Sequence, residues 1–304
     1  MSCFMDHALS RRLERAEGSI GTSCIAASQE LRPEVGATWQ DFDGTYAMFD
    51  GVESPITQTF GLGLFGPTTA SSLSAIEAYL ESRGAAVMHE VSPLAGLATI
   101  ALLVDRGYRP HELSTVLVHA IDERMTAPTS ETLCVRMIEP ADFAGWIETS
   151  VAGWSEDPVI VRVIRSMAEI ACANRSMTHF VVERDNAPIA TASLGVHDGV
   201  ALLAGASTIP AGRGLGAQAM LLAARLVEAR RRGCELAMMV TEPGSTSQRN
   251  AERRGFRVAY TRTKWRLARG DGSALDGTMG GRPARSSSTR VNLLSDVDKV
   301  DVVR

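Results

Sequence analysis

Apolar and polar positions follow two rhythms along the chain, and the change from one to the other marks its elements. Over residues 6–30, Leu9, Leu13 and Ala16 share one helical face, ringed by Arg11, Arg12, Glu14, Arg15 and Glu17, which predicts an amphipathic helix. TWQDFDGTYAMFDG sets Asp43-Gly44 between two semi-apolar runs and predicts a hairpin. In SPITQTFGLGLFG, Phe60, Leu62 and Leu64 alternate with Gly61 and Gly63. That reads as a strand with one thinned face, where another element packs closely. A Thr/Ser lead-in, apolar Leu73, Ile76, Ala78 and Leu80, and a stop at Gly84 predict a helix. A strand (AAVMHEV), a helix ended by Gly107 and a strand (YRPHELSTVLVHAI) follow.

Residues 124–132, RMTAPTSET, are polar and without periodicity, and read as a linker. Beyond them come a strand (LCVRMIEP) and two helices, the second with Asp157 as N-cap and Pro158 in its first turn. Three antiparallel strands then turn at Asp185-Asn186 and Asp198-Gly199. A glycine loop, a long helix, a strand, a short helix and a final strand complete the order. Helix, strand, helix, Arg-Gly-aromatic-Arg, strand occurs twice, ending at Asp105–Arg109 and Arg253–Arg257, which argues for a duplication. The boundaries are therefore 1–123, a linker 124–132, 133–268, and a Gly/Ser/Arg-rich stretch 269–304 expected to be disordered.

Each half is long enough, in a chain of 304 residues, to bury a core of its own. A net charge of -4 gives no general attraction to nucleic acid or anionic membrane. No apolar run is long enough to span a bilayer, and the polar start MSCFMDHALSRRLERAEG has no secretory apolar core. Cys3, Cys24, Cys134, Cys172 and Cys234 are scattered without metal-ligand or redox spacing, and His89, His119 and His179 lack it too. The expectation is a cytoplasmic protein with reduced thiols and no metal.

Two glycine runs compete as a phosphate cradle. Such a cradle needs converging backbone N–H groups at a helix N-terminus and small residues that let an anion approach. Gly61, Gly63 and Gly66 have the spacing, but Leu64 and Phe65 intervene and Pro67 removes a donor. AGRGLGA, at 211–217, meets the requirement: Gly212, Gly214 and Gly216 free the backbone, Arg213 adds positive charge, and a helix follows. Gly212-x-Gly214-x-x-Ala217 with Glu242 after the next strand also fits a relaxed dinucleotide fingerprint. Against nicotinamide binding, three short-turned antiparallel strands precede the loop and too few elements follow it. A Walker loop is excluded because no Lys-Ser/Thr follows the glycines.

The order of elements over residues 133–267, with Ala211-Gly212-Arg213-Gly214-Leu215-Gly216 and SQRNAERRGF, resembles the GNAT superfamily of N-acetyltransferases. The first half resembles a degenerate copy in which FGPTTASS replaces the cradle. The resemblance implies an α+β fold: two GNAT-like domains in tandem, each a mostly antiparallel mixed sheet flanked by helices. It further implies acetyl transfer from acetyl-CoA, as cosubstrate, to a small-molecule or peptide amine. Ala211–Ala217 would hold the pyrophosphate, Ser207, Thr208 and Ile209 would pair with the pantetheine arm, and the Ile209 N–H would polarise the thioester. Asn250 would bond the pantetheine or cap a loop, and Arg253 or Arg254 would reach the nucleotide phosphates or lie on a solvated helix face. Where the family often has a general-acid Tyr, four residues before the glycine of Gly255-Phe256, the chain has Ala251. Ser247 or Tyr260 then stand as acids, and Glu242, Glu183 or His197 as bases. A non-catalytic acetyl-CoA-binding protein is the rival reading, and a nicotinamide oxidoreductase a more distant one.

Overall fold

The computed structural model describes residues 5–154 and 157–268. The stretch 269–304, expected to be disordered, lies outside the described residues. The first half of the chain supplies α1 (His7–Leu31), β1 (Thr38–Phe42), β2 (Thr45–Phe49), β3 (Thr59–Phe60), α2 (Ala70–Glu81), β4 (Met88–Val91), α3 (Gly96–Asp105) and β5 (Tyr108–Ala120). The second supplies β6 (Cys134–Met137), α4 (Phe143–Ala152), α5 (Pro158–Ala173), β7 (Met177–Arg184), β8 (Ala187–His197), β9 (Val200–Thr208), α6 (Ala217–Arg231), β10 (Leu236–Thr241), α7 (Thr246–Glu252) and β11 (Arg257–Leu267). The hairpin signals hold: Asp43-Gly44, Asp185-Asn186 and Asp198-Gly199 all have positive φ at both central residues, the twist that short β-turns require. Asp157 caps α5 by accepting from the Val159 and Ile160 N–H groups.

The eleven strands among the described residues form one mixed sheet, ordered β1-β2-β3-β4-β11-β5-β10-β9-β8-β7-β6. The two halves repeat a pattern in which a parallel pair (β3 with β4, β9 with β10) is followed by a closing strand. Those closing strands are exchanged: β11 pairs antiparallel with β4, and β5 pairs antiparallel with β10 and with β11. The two expected sheets are therefore fused into one. The repeated Arg-Gly-aromatic-Arg has a physical basis. Gly107 and Gly255 hold φ of 86° and 88° after their helices, and Tyr108 and Phe256 are buried next to them, so a left-handed glycine ends each helix and an aromatic anchors the strand.

Helices α2, α3, α6 and α7 cover one face of the sheet, and α1, α4 and α5 the other. The sheet curls around α1: Gly18 lies against Tyr46 and Phe60 of the first half, while Ile20 packs on Gly195 of the second. Beneath α1, the buried Arg262 of β11 pairs with Glu14 at 3.3 Å, Glu17 at 2.7 Å and Glu90 at 3.4 Å. Lys264 bridges Glu90 and Glu112 at 3.3 and 3.0 Å. Charge thus ties the exchanged strand to the first half.

The run 54–66 is a correction to the sequence reading. Only Thr59–Phe60 is strand; Gly61 and Gly63 take φ of 87° and 75° in a loop. The expected close packing is present all the same: a Cβ on Gly61 would lie 2.9 Å from the Gly44 carbonyl, and one on Gly63 would lie 2.6 Å from Thr99 Oγ1.

Candidate functional site

β9 and β10 pair in parallel only from Val200 to Leu202 and from Leu236 to Met238. Beyond Met238 the two strands are no longer paired, and the gap between their C-terminal ends is the candidate cleft. β9 is buried at its start, yet Ala204 and Ala206 are half-buried and Gly205 is exposed in mid-strand. Met239 and Val240 of β10 are half-buried across from them. Diverging C-terminal ends of parallel strands are where open α/β sheets bind ligands.

The glycine loop closes this end. Gly212 and Arg213 N–H groups complete a tight helical turn with Ile209 and Pro210 carbonyls at 2.9 and 3.3 Å. Helix α6 then starts from Gly216, φ 85°, with no side-chain cap. Helices α3 and α4 also lack a side-chain cap, whereas α1, α2, α5 and α7 are capped by Asp6, Thr69, Asp157 and Ser245; what sets α6 apart is the open space at Gly214 and Gly216. The first-turn amides and dipole of α6 are left for an anion. The three glycines divide the work. Gly212 is a packing glycine, since a Cβ there would lie 2.9 Å from Ile189 Cβ; Gly214 and Gly216 have positive φ and nothing within 4 Å of an added Cβ. Leu215 is exposed at the tip. Arg213 donates to the Gly153 carbonyl at 3.2 Å, which ties the loop to the end of α4.

Several predicted site residues share this end. Ser207 is buried and donates to Ser150 O at 2.8 Å, and Thr208 Oγ1 accepts from Gln218 Nε2 at 2.7 Å. Ala217 is buried at the start of α6. Glu242 is half-buried just past β10, and Ser247 is half-buried in the first turn of α7. Asn250 and Arg253 are exposed on α7 and at its end.

Others must be moved. The Ile209 N–H donates to Ile189 O at 3.0 Å, so it completes the β8 pairing and has no proton for a thioester. Tyr260 points to the α1 face, is buried, and donates to Glu14 Oε1 at 2.8 Å. Burial, with the Glu14 charge beside it, raises the Tyr260 hydroxyl well above its ordinary value, so it is no acid for the cleft. Ala251 is buried in the core under α6. Glu183 is paired with Arg136 at 2.8 Å. His197 contacts Ser19 Oγ and pairs with Val200, at the far end of β9 from the loop. Among the described residues no cluster of His, Cys, Asp and Glu could hold a metal, and no helix is long and apolar enough to cross a membrane.

The structure adds residues that the sequence reading missed. Gln218 bridges the Ser207 carbonyl and the Thr208 hydroxyl, holding α6 against β9. Thr241, at the cleft end of β10, is buried with its hydroxyl unpartnered in the protein. An orphaned buried hydroxyl costs about 1–3 kcal/mol, which a ligand in the cleft would recover. Gln218 directly follows the glycine loop and Thr241 ends an ordinary strand, and only their contacts in the fold show what each does.

Residues 143–256 match the model of the acetyltransferase (GNAT) family. This stretch is a GNAT domain. It contains the cleft, the glycine loop and α6. Solved structures extend the likeness over both halves. A GCN5-related N-acetyltransferase from Kribbella flavida shares 15% identity over 82% of this chain and 97% of that one, with a TM-score of 0.59. A tandem GNAT protein from the clavulanic acid biosynthesis pathway shares 15% over 75% and 79%, with a TM-score of 0.53. A conserved protein of unknown function from Staphylococcus epidermidis shares 8% over 77% and 94%, with a TM-score of 0.55. At these identities the likeness is one of fold. No curated protein matches the chain.

Proposed function

We propose that the second half of the chain transfers an acetyl group from acetyl-CoA to an amine, and that the first half is a GNAT-like unit that has lost its phosphate site. The observation that carries this is the uncapped start of α6, where Gly214 and Gly216 leave open space at the mouth of the β9–β10 cleft. Acetyl-CoA would bring an activated thioester. The Gly214–Gln218 amides and the α6 dipole would bind its pyrophosphate. The run Ala204–Ala206, exposed at Gly205, would lie along the pantetheine arm and receive the thioester carbonyl, taking the role expected of Ile209. Thr241 Oγ1 would bond the arm from the other wall. Asn250 and Arg253, both exposed at α7, would reach towards the nucleotide.

An ammonium cannot attack, so a group at the cleft must take its proton. Glu242 is the carboxylate at that end of β10 and is assigned this role. Ser247 is the remaining acid for the departing thiolate, which with a pKa near 8.5 also leaves tolerably unaided. Calorimetry with CoA, followed by thiol release from acetyl-CoA with a panel of amines, tests the reading. Binding with turnover on at least one amine supports it; failure to bind CoA overturns it. The rival reading, an acetyl-CoA-binding protein without turnover, draws on the burial of Ala251 and Tyr260 away from the cleft. Binding with no thiol release on any amine would favour it.

A further inference from the structure

Arg225 lies in the middle of α6 and is 3% exposed. Its hydrogen-bond partners are carbonyls: Nε donates to Leu221 O at 3.2 Å, and one terminal nitrogen donates to Ser193 O at 3.3 Å and Ala204 O at 3.4 Å. Burial alone lowers its pKa, to about 10, with no carboxylate raising it, so it stays charged at neutral pH. Every other guanidinium buried to this degree among the described residues, namely Arg262, is matched by carboxylates. A buried cation held only by carbonyls is costly, and its position is specific. Ser193 and Ala204 face each other where the β8–β9 register breaks, and Gly205 follows with φ of 59°. Such a bulge re-aims a strand, and here it opens the exposed run of β9.

We propose that Arg225 is a positioning residue for the acetyl thioester: by gripping the Ser193 and Ala204 carbonyls at the bulge, it fixes the run Ala204–Ala206 against which the acetyl carbonyl lies. This rests on the acetyltransferase reading above. The guanidinium also projects positive potential through β9 towards that carbonyl, in surroundings that screen it weakly. CoA itself keeps the contacts of its pantetheine arm with this run but has no acetyl carbonyl to be positioned or polarised, so its affinity responds less than the acetyl stretch.

The test uses the full chain as wild type, R225M, R225K and G205A. Infrared difference spectra report the C=O stretch of bound acetyl-CoA, and calorimetry reports affinity for acetyl-CoA and CoA. In the wild type the stretch moves to lower frequency on binding. In R225M it returns most of the way to the free value, while CoA affinity changes by less than about threefold. R225K, which keeps a charge and donors, lies between. G205A disfavours the bulge without touching the charge and shows the same return. A folded R225M with the wild-type stretch overturns the proposal; if R225M does not fold, a stretch at the wild-type bound position in both R225K and G205A overturns it. Failure of the wild type to bind CoA defeats the acetyltransferase reading and this proposal with it, whereas wild-type binding with unchanged variant spectra defeats the proposal alone.

Discussion

The two glycine loops, 61–66 and 212–216, follow equivalent strands and lead to equivalent helices, yet they differ in what they leave open. In the first, Leu62 and Leu64 fold into the protein at 2% exposure each, and Arg11 of α1 donates to the Leu64 carbonyl. Helix α2 closes its own N-terminus with a Thr69–Ser72 capping box. In the second, Leu215 points outward, α6 has no side-chain cap, and Gly214 and Gly216 face open space. The spacing of glycines does not distinguish a cradle from a packed turn. What distinguishes them is whether amides and space remain after the loop has satisfied itself.

The largest effect should come from closing the second loop. G214V with G216V strains two left-handed residues and fills the approach to the amides. Charged hydrogen bonds are worth about 1.5–3 kcal/mol each, so calorimetry should show CoA affinity falling by about a hundredfold or more. Acid should strain both halves alike. Burial holds His89 in the first half and His179 in the second at about 4. A folded pKa below the unfolded value gives stability that is present above about 6.5 and lost as pH falls towards 4, by up to about 3 kcal/mol per histidine. Thermal midpoints against pH should fall over that window, and H89Q should flatten part of the slope.

The next effect probes the plugged loop. L64A should cost about 2–5 kcal/mol of stability in urea melts while leaving the CoA affinity of the folded fraction unchanged. If it weakens CoA, the first loop is part of the site and the contrast fails. Y260F should cost about 1–2 kcal/mol of stability and leave thiol release unaltered, because Tyr260 serves the contact with α1. Smallest is T241V, nearly isosteric and removing a hydroxyl with no partner in the protein. Stability should hold or rise, while CoA affinity drops by about 1 kcal/mol.

Much of this was legible in the sequence because local chemistry decided it. The Asp-Gly and Asp-Asn turns, the Asp157 cap and the repeated Arg-Gly-aromatic-Arg each depend on a few neighbouring residues, and the structure has them. The exchange of β5 and β11 was not legible, because it is a choice of partner between strands more than a hundred residues apart. The run 54–66 failed as a strand because its alternating glycines serve left-handed turns, which give the same pattern over so short a stretch. At the site, the loop and the start of α6 at Gly216 could be read from the glycines and the helix that follows them. The failure of Ile209 and Tyr260 could not, since it depends on register with Ile189 and on α1 crossing the sheet. Arg225, Gln218 and Thr241 escaped for the same reason: their meaning lies in what they face across the sheet.

The central claim is that one loop grips a diphosphate and its twin does not. Amide chemical-shift mapping by NMR, with CoA titrated into the labelled full chain, compares the two loops in one experiment. The account predicts large shifts for the amides from Gly214 to Ala219 and none from Gly61 to Ser72. Shifts in the first loop, or a silent second loop with CoA bound elsewhere, would contradict it.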